Sequence, residues 1–355
     1  MTTANVIANT PVAPRKPWKA TKADYIPLFV IFVLAAVLDI IVVAVTPMKG
    51  KLAYALLFFI FASGFQMALK WYKLGKRAAI DSLAGSVAIT GAIIAFTPVA
   101  SLLATAIVKG VKGLYPGFFY HDMSVANYQS PLNQGGVIQA IVGTLYLIFL
   151  STAISLPLSV LTALYLTEIR GKASGFIQFL VQAMSGIPSV VAGIFIYSAL
   201  LLTTSLRGST IMAALALAIL MIPTVTRTAQ EVLLLVPREL REAGLALGAT
   251  QWKTVATIVV PAARNGLITA VILGVARIAG ETAPLLFTLG VSNKINWNPF
   301  SGGQSALPYY VWSGLGDGTE LGIDRAWSGI LVLLMLVLSL FVVARIFGTR
   351  KVKIK

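Results

Sequence analysis

The sequence predicts an all-α polytopic membrane protein. Apolar residues make up 57% of its 355 positions and charged residues only 11%, against about 25% charged in ordinary soluble domains. The apolar residues fall in long continuous runs, each close to the roughly 20 residues that one helical crossing of the hydrocarbon layer needs. A closed barrel, the other spanning solution, would show ten-residue alternating segments instead.

Eight windows meet this description. The first, Tyr25 to Thr46, is interrupted only by Asp39, and the second runs from Leu52 to Leu69. The third (Ser82 to Val108, with Pro98) and fourth (Val137 to Thr167, with Pro157) are long enough to tilt or kink. The fifth covers Ala173 to Leu206 with Pro188, the sixth Gly208 to Thr226 with Pro223, the seventh about Asn265 to Gly290, and the eighth Ala326 to Ala344. The first 24 residues are polar and basic, with no small-residue cleavage site after the first apolar run, and read as the flank of an uncleaved signal anchor.

Charge orients these spans. With the N-terminus in the cytoplasm, twenty Lys and Arg residues fall inside and seven outside, which favours cytoplasmic N- and C-termini and an even number of crossings. The net charge of +16 is thereby accounted for without nucleic acid, since the basic residues sit between apolar runs and form no stripe. Cysteine is absent and His121 is the single histidine, which excludes disulfides, thiolate chemistry and a multi-histidine metal site. Residues 1–77 read as a cytoplasmic N-terminus and accessory hairpin closed by Lys70, Trp71 and Tyr72, and residues 78–355 as the core.

Residues 227–264 form the longest predicted cytoplasmic connection, and they read as helices. Pro237 suits the first position of a helix, Glu239 and Glu242 its positive end, and Gly248 its termination. Thr250 suits the cap of a second helix that Pro261 stops or kinks. Capping alone would also suit a solvated loop.

The seventh window holds two charges, Arg277 and Glu281, whose i, i+4 spacing on a continuous helix puts them on one face. Burying either alone costs about 2.5 to 3.5 kcal/mol on insertion scales, so they should face a partner or a wet cavity. A guanidinium offers a planar fork of donors that matches phosphate oxygens. The alternative is that the two neutralise each other and pin the helix against a neighbour. Arg227 would either contact a leaving anion or mark the membrane edge. Gln178 and Gln182 suit interhelical hydrogen bonds.

Two stretches resemble a known family. Glu242, Ala243 and Gly244, then Gly248, then Ile258 and Pro261 match the spacing of the EAA loop of binding-protein-dependent ABC importer permeases, departing at Gly244 and Val260, where the family pattern has alanine and leucine. Gly280-Glu281-Thr282-Ala283-Pro284-Leu285-Leu286-Phe287, following Arg277, resembles the signature of the A-type permeases of phosphate-specific transport (Pst) systems. Supporting similarity lies in Gly135 to Tyr146, in Ser185-Gly186-Ile187-Pro188-Ser189 and in Arg227-Thr228, and the resemblance covers roughly residues 80 to 345.

The resemblance implies a core of six spans that is not an enzyme, with Arg277, Glu281, Thr282 and Arg227 along a phosphate path. It further implies that Glu239, Glu242, Ala243, Gly244, Gly248, Ile258 and Pro261 form the contact with an ATPase. Implied partners are a sister (PstC-like) permease, two copies of an ATP-binding subunit and an extracytoplasmic phosphate-binding protein; the length and composition of residues 291–325, with Trp297 and Trp312, suit them to be its landing surface. No G-x-x-x-x-G-K-[ST] occurs in the chain, so no cofactor is expected here and ATP would bind a partner. A permease for sulfate, molybdate or phosphonate, or a secondary anion transporter, is the alternative.

Overall fold

The computed structural model describes residues 22–47, 50–203 and 207–348, and among these it contains helices and no strand. The terminal basic residues counted for orientation, Arg15, Lys16, Lys19 and Arg350 to Lys355, lie outside the described residues, as does Lys49. The chain forms two compact units, Met1–Leu102 and Leu103–Lys355.

In the first unit α1 (Lys22–Val45) pairs with α2 (Lys51–Leu74), and α3 (Lys76–Gly110) begins after Gly75. Ile31, Ala35, Asp39 and Val43 recur every fourth residue and are the buried stripe of α1. Phe32 stacks on Phe58 at 6.1 Å between ring centroids. Asp39 is 5% exposed and its Oδ1 has no hydrogen-bond partner; no contact explains a carboxylate at that position.

The second unit is organised around α7 (Thr210–Leu234), which packs on α4 (Ile138–Leu164), α5 (Ser174–Ser185), α6 (Ser189–Ile196), α10 (Val260–Ala279) and α11 (Ala283–Thr288). Ser151, Ser155 and Ser159 of α4 are fully buried, and the Ser151 and Ser159 hydroxyls donate to the carbonyls of Ala214 and Ile222. Small residues and hydroxyls at such a seam let helix backbones approach, which is the main source of packing energy where water is absent. The core continues through Leu217, Met221, Val225, Ala229 and Leu233.

Seven described helical stretches are long and apolar enough to cross a membrane, and the bent pair α5 and α6 makes an eighth if counted as one broken span. The fifth window is therefore not one continuous helix: the pair turns through 103° at Gly186-Ile187-Pro188. Pro188 removes the N–H that would reach back to Met184 and biases Ile187 away from the helical region, while α4 and α7 continue through Pro157 and Pro223. The sixth window, expected to end at Thr226, continues as helix to Leu234. The seventh, expected from Asn265 to Gly290, instead begins at Gln251 and ends at Ala279.

After α11, residues 291–303 are exposed or half-buried, and the chain turns inward at Gln304. Gln304, Ser305 and Ala306 are buried, Gln304 Nε2 donates to Asn296 O (2.7 Å), and the Leu307 amide donates to Thr144 Oγ1 (2.8 Å). Then come α12 (Leu307–Asp317) and α13 (Glu320–Gly348). Arg325, which the charge count places among the exposed outer residues, is fully buried, its Nη2 donating to the carbonyls of Ser130, Pro131 and Gln134. Trp297, Phe300 and Trp312 remain exposed.

Gly193 of α6 faces α11 so closely that a Cβ there would stand 2.6 Å from Pro284 Cα and 3.0 Å from its carbonyl oxygen, backbone atoms that cannot step aside. Gly193→Ala should lower the melting temperature in detergent, at a cost of about 1–3 kcal/mol. Gly64→Ala, where a Cβ meets nothing within 4 Å, should leave it unchanged or raise it by a helix-propensity gain. Equal shifts for the two variants would contradict this packing.

Candidate functional site

The intramembrane charges sit at a break between helices. Arg277 lies in the last turn of α10, and Glu281 lies beyond it, in the link to α11. The helix expected to carry both stops because Gly280 follows Ala279 and Pro284 restarts the chain as a helical first turn, where its missing N–H costs nothing. The break places the cation at a helix C-terminus and the anion before the N-terminus of the next, the arrangement that each peptide dipole favours.

Arg277 Nη2 stands 3.7 Å from Glu281 Oε1, within ion-pair range but beyond a hydrogen bond. The Arg277 side chain is 52% exposed and that of Glu281 16%. The guanidinium thus keeps its donors available while a carboxylate beside it tempers its charge. Thr282 is half-buried next to the pair, and its carbonyl accepts from the Leu285 amide (3.0 Å).

Arg227 does not mark the end of α7. It is exposed within the helix, seven residues before Leu234, and makes no ion pair among the described residues. Gly266 of α10 faces Val232, and Gly274 faces Val225 and Met221, which fixes an antiparallel register between α10 and α7. In that register Arg227 lies level with about residue 271, so that it and Arg277 are separated by roughly 9 Å along the helix axis at 1.5 Å per residue. The Gly193 contact with Pro284 also brings the element that begins at Ser189 alongside the one that begins at Ala283. Gln178 makes the expected interhelical bond, accepting from Gln230 Nε2 at 3.0 Å.

The segment after α7 forms two helices, as expected, with small shifts. Pro237 is the residue preceding α8 (Arg238–Ala246) and not its first member. Gly248, at φ +82°, ends it: the Gly248 amide donates to Leu245 O (2.9 Å) and the Ala249 amide to Gly244 O (3.2 Å), the paired bonds of a glycine-terminated helix. Thr250 caps α9 (Gln251–Thr254), accepting from the Lys253 amide at 3.4 Å.

Pro261 does not stop the helix that contains it. A π turn over Val255–Val259 leads from α9 into α10, with the Val260 amide donating to Val255 O, five residues back. One wide turn shifts the ladder at the point where proline cannot donate, and the helix runs on.

The two faces of α8 differ. Glu239, Glu242 and Ala243 are exposed, whereas Gly244 is buried against Thr254 and Ile258. A Cβ at Gly244 would lie 2.8 Å from Ile258 Cδ1 and from Thr254 Cγ2, so glycine in place of the family's alanine sets how closely α8 lies on the next helix.

Arg241 also faces inward and meets Glu168, with Nη2 2.8 Å from Oε1 and Nε 3.0 Å from Oε2. Sequence reasoning missed this contact, because the partners are 73 residues apart. A lone carboxylate at the end of the fourth apolar window was its one visible trace. Among the described residues no three His, Cys, Asp or Glu side chains cluster as a metal site.

Outside the spans, Asp122 neighbours Lys294. Burial raises its pKa, but bonds from the Ser124 hydroxyl and amide, the Ile295 amide and the Lys294 charge together hold it below the usual carboxylate value. Its contribution to stability is present above the ordinary carboxylate range and lost as the pH falls through the lower folded value.

Because the positive φ of Gly248 suits glycine or asparagine, Gly248→Val should expose residues 247–252 to limited proteolysis, while Gly248→Asn should retain wild-type protection. Equal protection in both would show that the left-handed turn is not required.

The model of the family described as "binding-protein-dependent transport system inner membrane component" matches residues 155–353. The phosphate transport system permease protein PstA 1 of Mycobacterium tuberculosis is 35% identical over 281 residues, covering 78% of this chain and 92% of that protein. The PstA protein of Haemophilus influenzae is 37% identical over 256 residues, covering 70% and 87%. An inward-facing MetNI methionine ABC transporter structure superposes with a TM-score of 0.44 at 21% identity, covering 61% of this chain and 92% of that one. The chain belongs to the family of binding-protein-dependent transport system inner membrane components, as a PstA-type permease.

Proposed function

We propose that this chain is a transmembrane permease subunit of an ATP-driven phosphate importer in the inner membrane, forming half of the translocation path. The observation that carries the reading is identity of 35% to a phosphate permease across 92% of that relative's length. The half-exposed guanidinium at a helix break supports it.

In this reading Arg277 offers its fork to phosphate oxygens, and Glu281, held at ion-pair distance, keeps the site weak enough for the ion to leave. Thr282 adds a hydroxyl beside the pair, and Arg227 provides a second positive step about 9 Å along α7. The outward face of α8, with Glu239 and Glu242, docks an ATP-binding subunit, so residues 227–264 face the cytoplasm, as do both termini. Gly248, Ile258 and Pro261 hold that face in place. ATP is bound by the partner, and this chain is not itself an enzyme. The assembly comprises a PstC-like sister permease, two ATP-binding subunits and an extracytoplasmic phosphate-binding protein, which lands on the surface that carries Trp297 and Trp312.

The test is uptake of radiolabelled phosphate by proteoliposomes holding the whole complex, with and without ATP. ATP-dependent phosphate uptake that excess sulfate, molybdate or phosphonate does not suppress is the expected result; preference for one of those anions would replace phosphate as substrate. Arg277→Gln should reduce uptake by about tenfold or more, the equivalent of one charge-assisted bond, without loss of assembly, and normal uptake would remove Arg277 from the path. Glu242→Trp should abolish co-purification of the ATP-binding subunit while insertion in the membrane is unaffected; retained co-purification would move the docking face elsewhere.

A further inference from the structure

Arg241 is the most extensively bonded side chain of the segment between α7 and α10. Beyond its two-point contact with Glu168, Nη1 donates to Val236 O (2.6 Å) and Nη2 to Leu233 O (2.8 Å). Leu233 lies in the last turn of α7 and Val236 just beyond its end, where helix geometry leaves carbonyls short of amide donors. Glu168 is gripped a second time, its backbone oxygen accepting from Gln251 Nε2 at 2.6 Å. Residue 168 is therefore held from α8 on one side of the Gly248 turn and from α9 on the other.

The held residue is at a weak point of its own helix. Tyr165–Ile169 is a π turn, and Arg170 after it has φ 50°, the only left-handed non-glycine residue among those described. Wide turns and strained backbone of this kind mark places where a helix end can change shape. A cavity of about 600 Å³ lined by Glu168, Arg238, Arg241, Glu242, Leu245 and Gln251 lies beside the contact and leaves it room to move. Side-chain exposure is 7% for Glu168 and 21% for Arg241, and a carboxylate and guanidinium withdrawn that far from water are poor stabilisers, better suited to fixing a register between elements.

We propose that Glu168 and Arg241 are positioning residues that transmit displacement of α8 and α9 to the ends of α4 and α7, so that ATP turnover on a docked subunit is converted into movement of the spans. The proposal rests on the phosphate-importer function and adds the route of transmission. It separates the two faces of α8: Glu239 and Glu242 meet the partner, and Arg241 passes the motion on. Loss of the contact therefore disconnects hydrolysis from transport without undocking the ATPase.

The experiment uses the whole complex in proteoliposomes and measures ATP-subunit co-purification, ATP hydrolysis and phosphate uptake side by side. For Glu168→Gln and Arg241→Gln, co-purification and hydrolysis should stay within about twofold of wild type while uptake per ATP falls roughly fivefold or more, the scale of an ordinary coupling between sites. The chain has no cysteine, so the double variant Glu168→Cys, Arg241→Cys can be bridged selectively by a short bis-methanethiosulfonate. Uptake per ATP should be low before bridging, recover on bridging, and fall again on reduction.

An unchanged ratio in the single variants, parallel loss of all three readouts, or no recovery on bridging would overturn the proposal. Should the wild-type complex move another anion, the phosphate reading fails, and the same ratio measured with that anion still decides whether the contact transmits.

Discussion

Three serines one helical turn apart, Ser151, Ser155 and Ser159, face α7 with no exposure, and two of their hydroxyls reach its carbonyls. This seam is the constraint on which the rest of the second unit depends. In a lipid environment two apolar helices gain little merely by touching, so the packing must come from close backbone approach and directed polar contacts. With α4 and α7 fixed, α10 can lie against α7 through Gly266 and Gly274, and the remaining short helices have a surface to rest on.

That support makes irregular backbone tolerable. The interruptions at Gly186 to Pro188 and at Gly280 to Thr282 leave peptide groups outside any helical ladder, a cost that lipid cannot relieve and protein must. The two interrupted segments cover each other where Gly193 meets Pro284. The charged pair sits at one of these interruptions, with each charge at the helix end that stabilises it. In the proposed phosphate path, function and irregularity thus coincide, and the regular helices around them supply the rigidity.

Much of this was legible in the sequence. The spans follow from apolar run length, and the helix ends at Gly248 and Thr250 from local rules that need only neighbouring residues. The features that were not legible depend on contacts between distant residues. Proline is ambiguous by itself: Pro157 and Pro223 lie inside continuing helices, Pro188 with Gly186 produces a sharp bend, and a π turn absorbs Pro261. The pairing of Glu168 with Arg241 could not be read from spacing. Arg325 misled because the charge count assigns it to an outer loop surface, whereas it is buried among carbonyls. For the candidate site, residue types and the i, i+4 proximity were available in advance, but the helix break between Arg277 and Glu281 was hidden by an apolar run that continues past it.

The passage of helix through Pro261 has a mechanical consequence. Gln251–Ala279 is a single 29-residue stretch, and the rise from Gln251 to Arg277 is roughly 39 Å at 1.5 Å per residue, longer than the ~30 Å hydrocarbon layer. A rod of that length is a lever: tilting it by only about 5° at its base sweeps the far end sideways by roughly 3 Å, given that rise. The gap between Arg277 and Glu281 is 3.7 Å, so in the proposed phosphate path a pivot small enough to leave every helix intact would be large enough to open or close the grip on the ion.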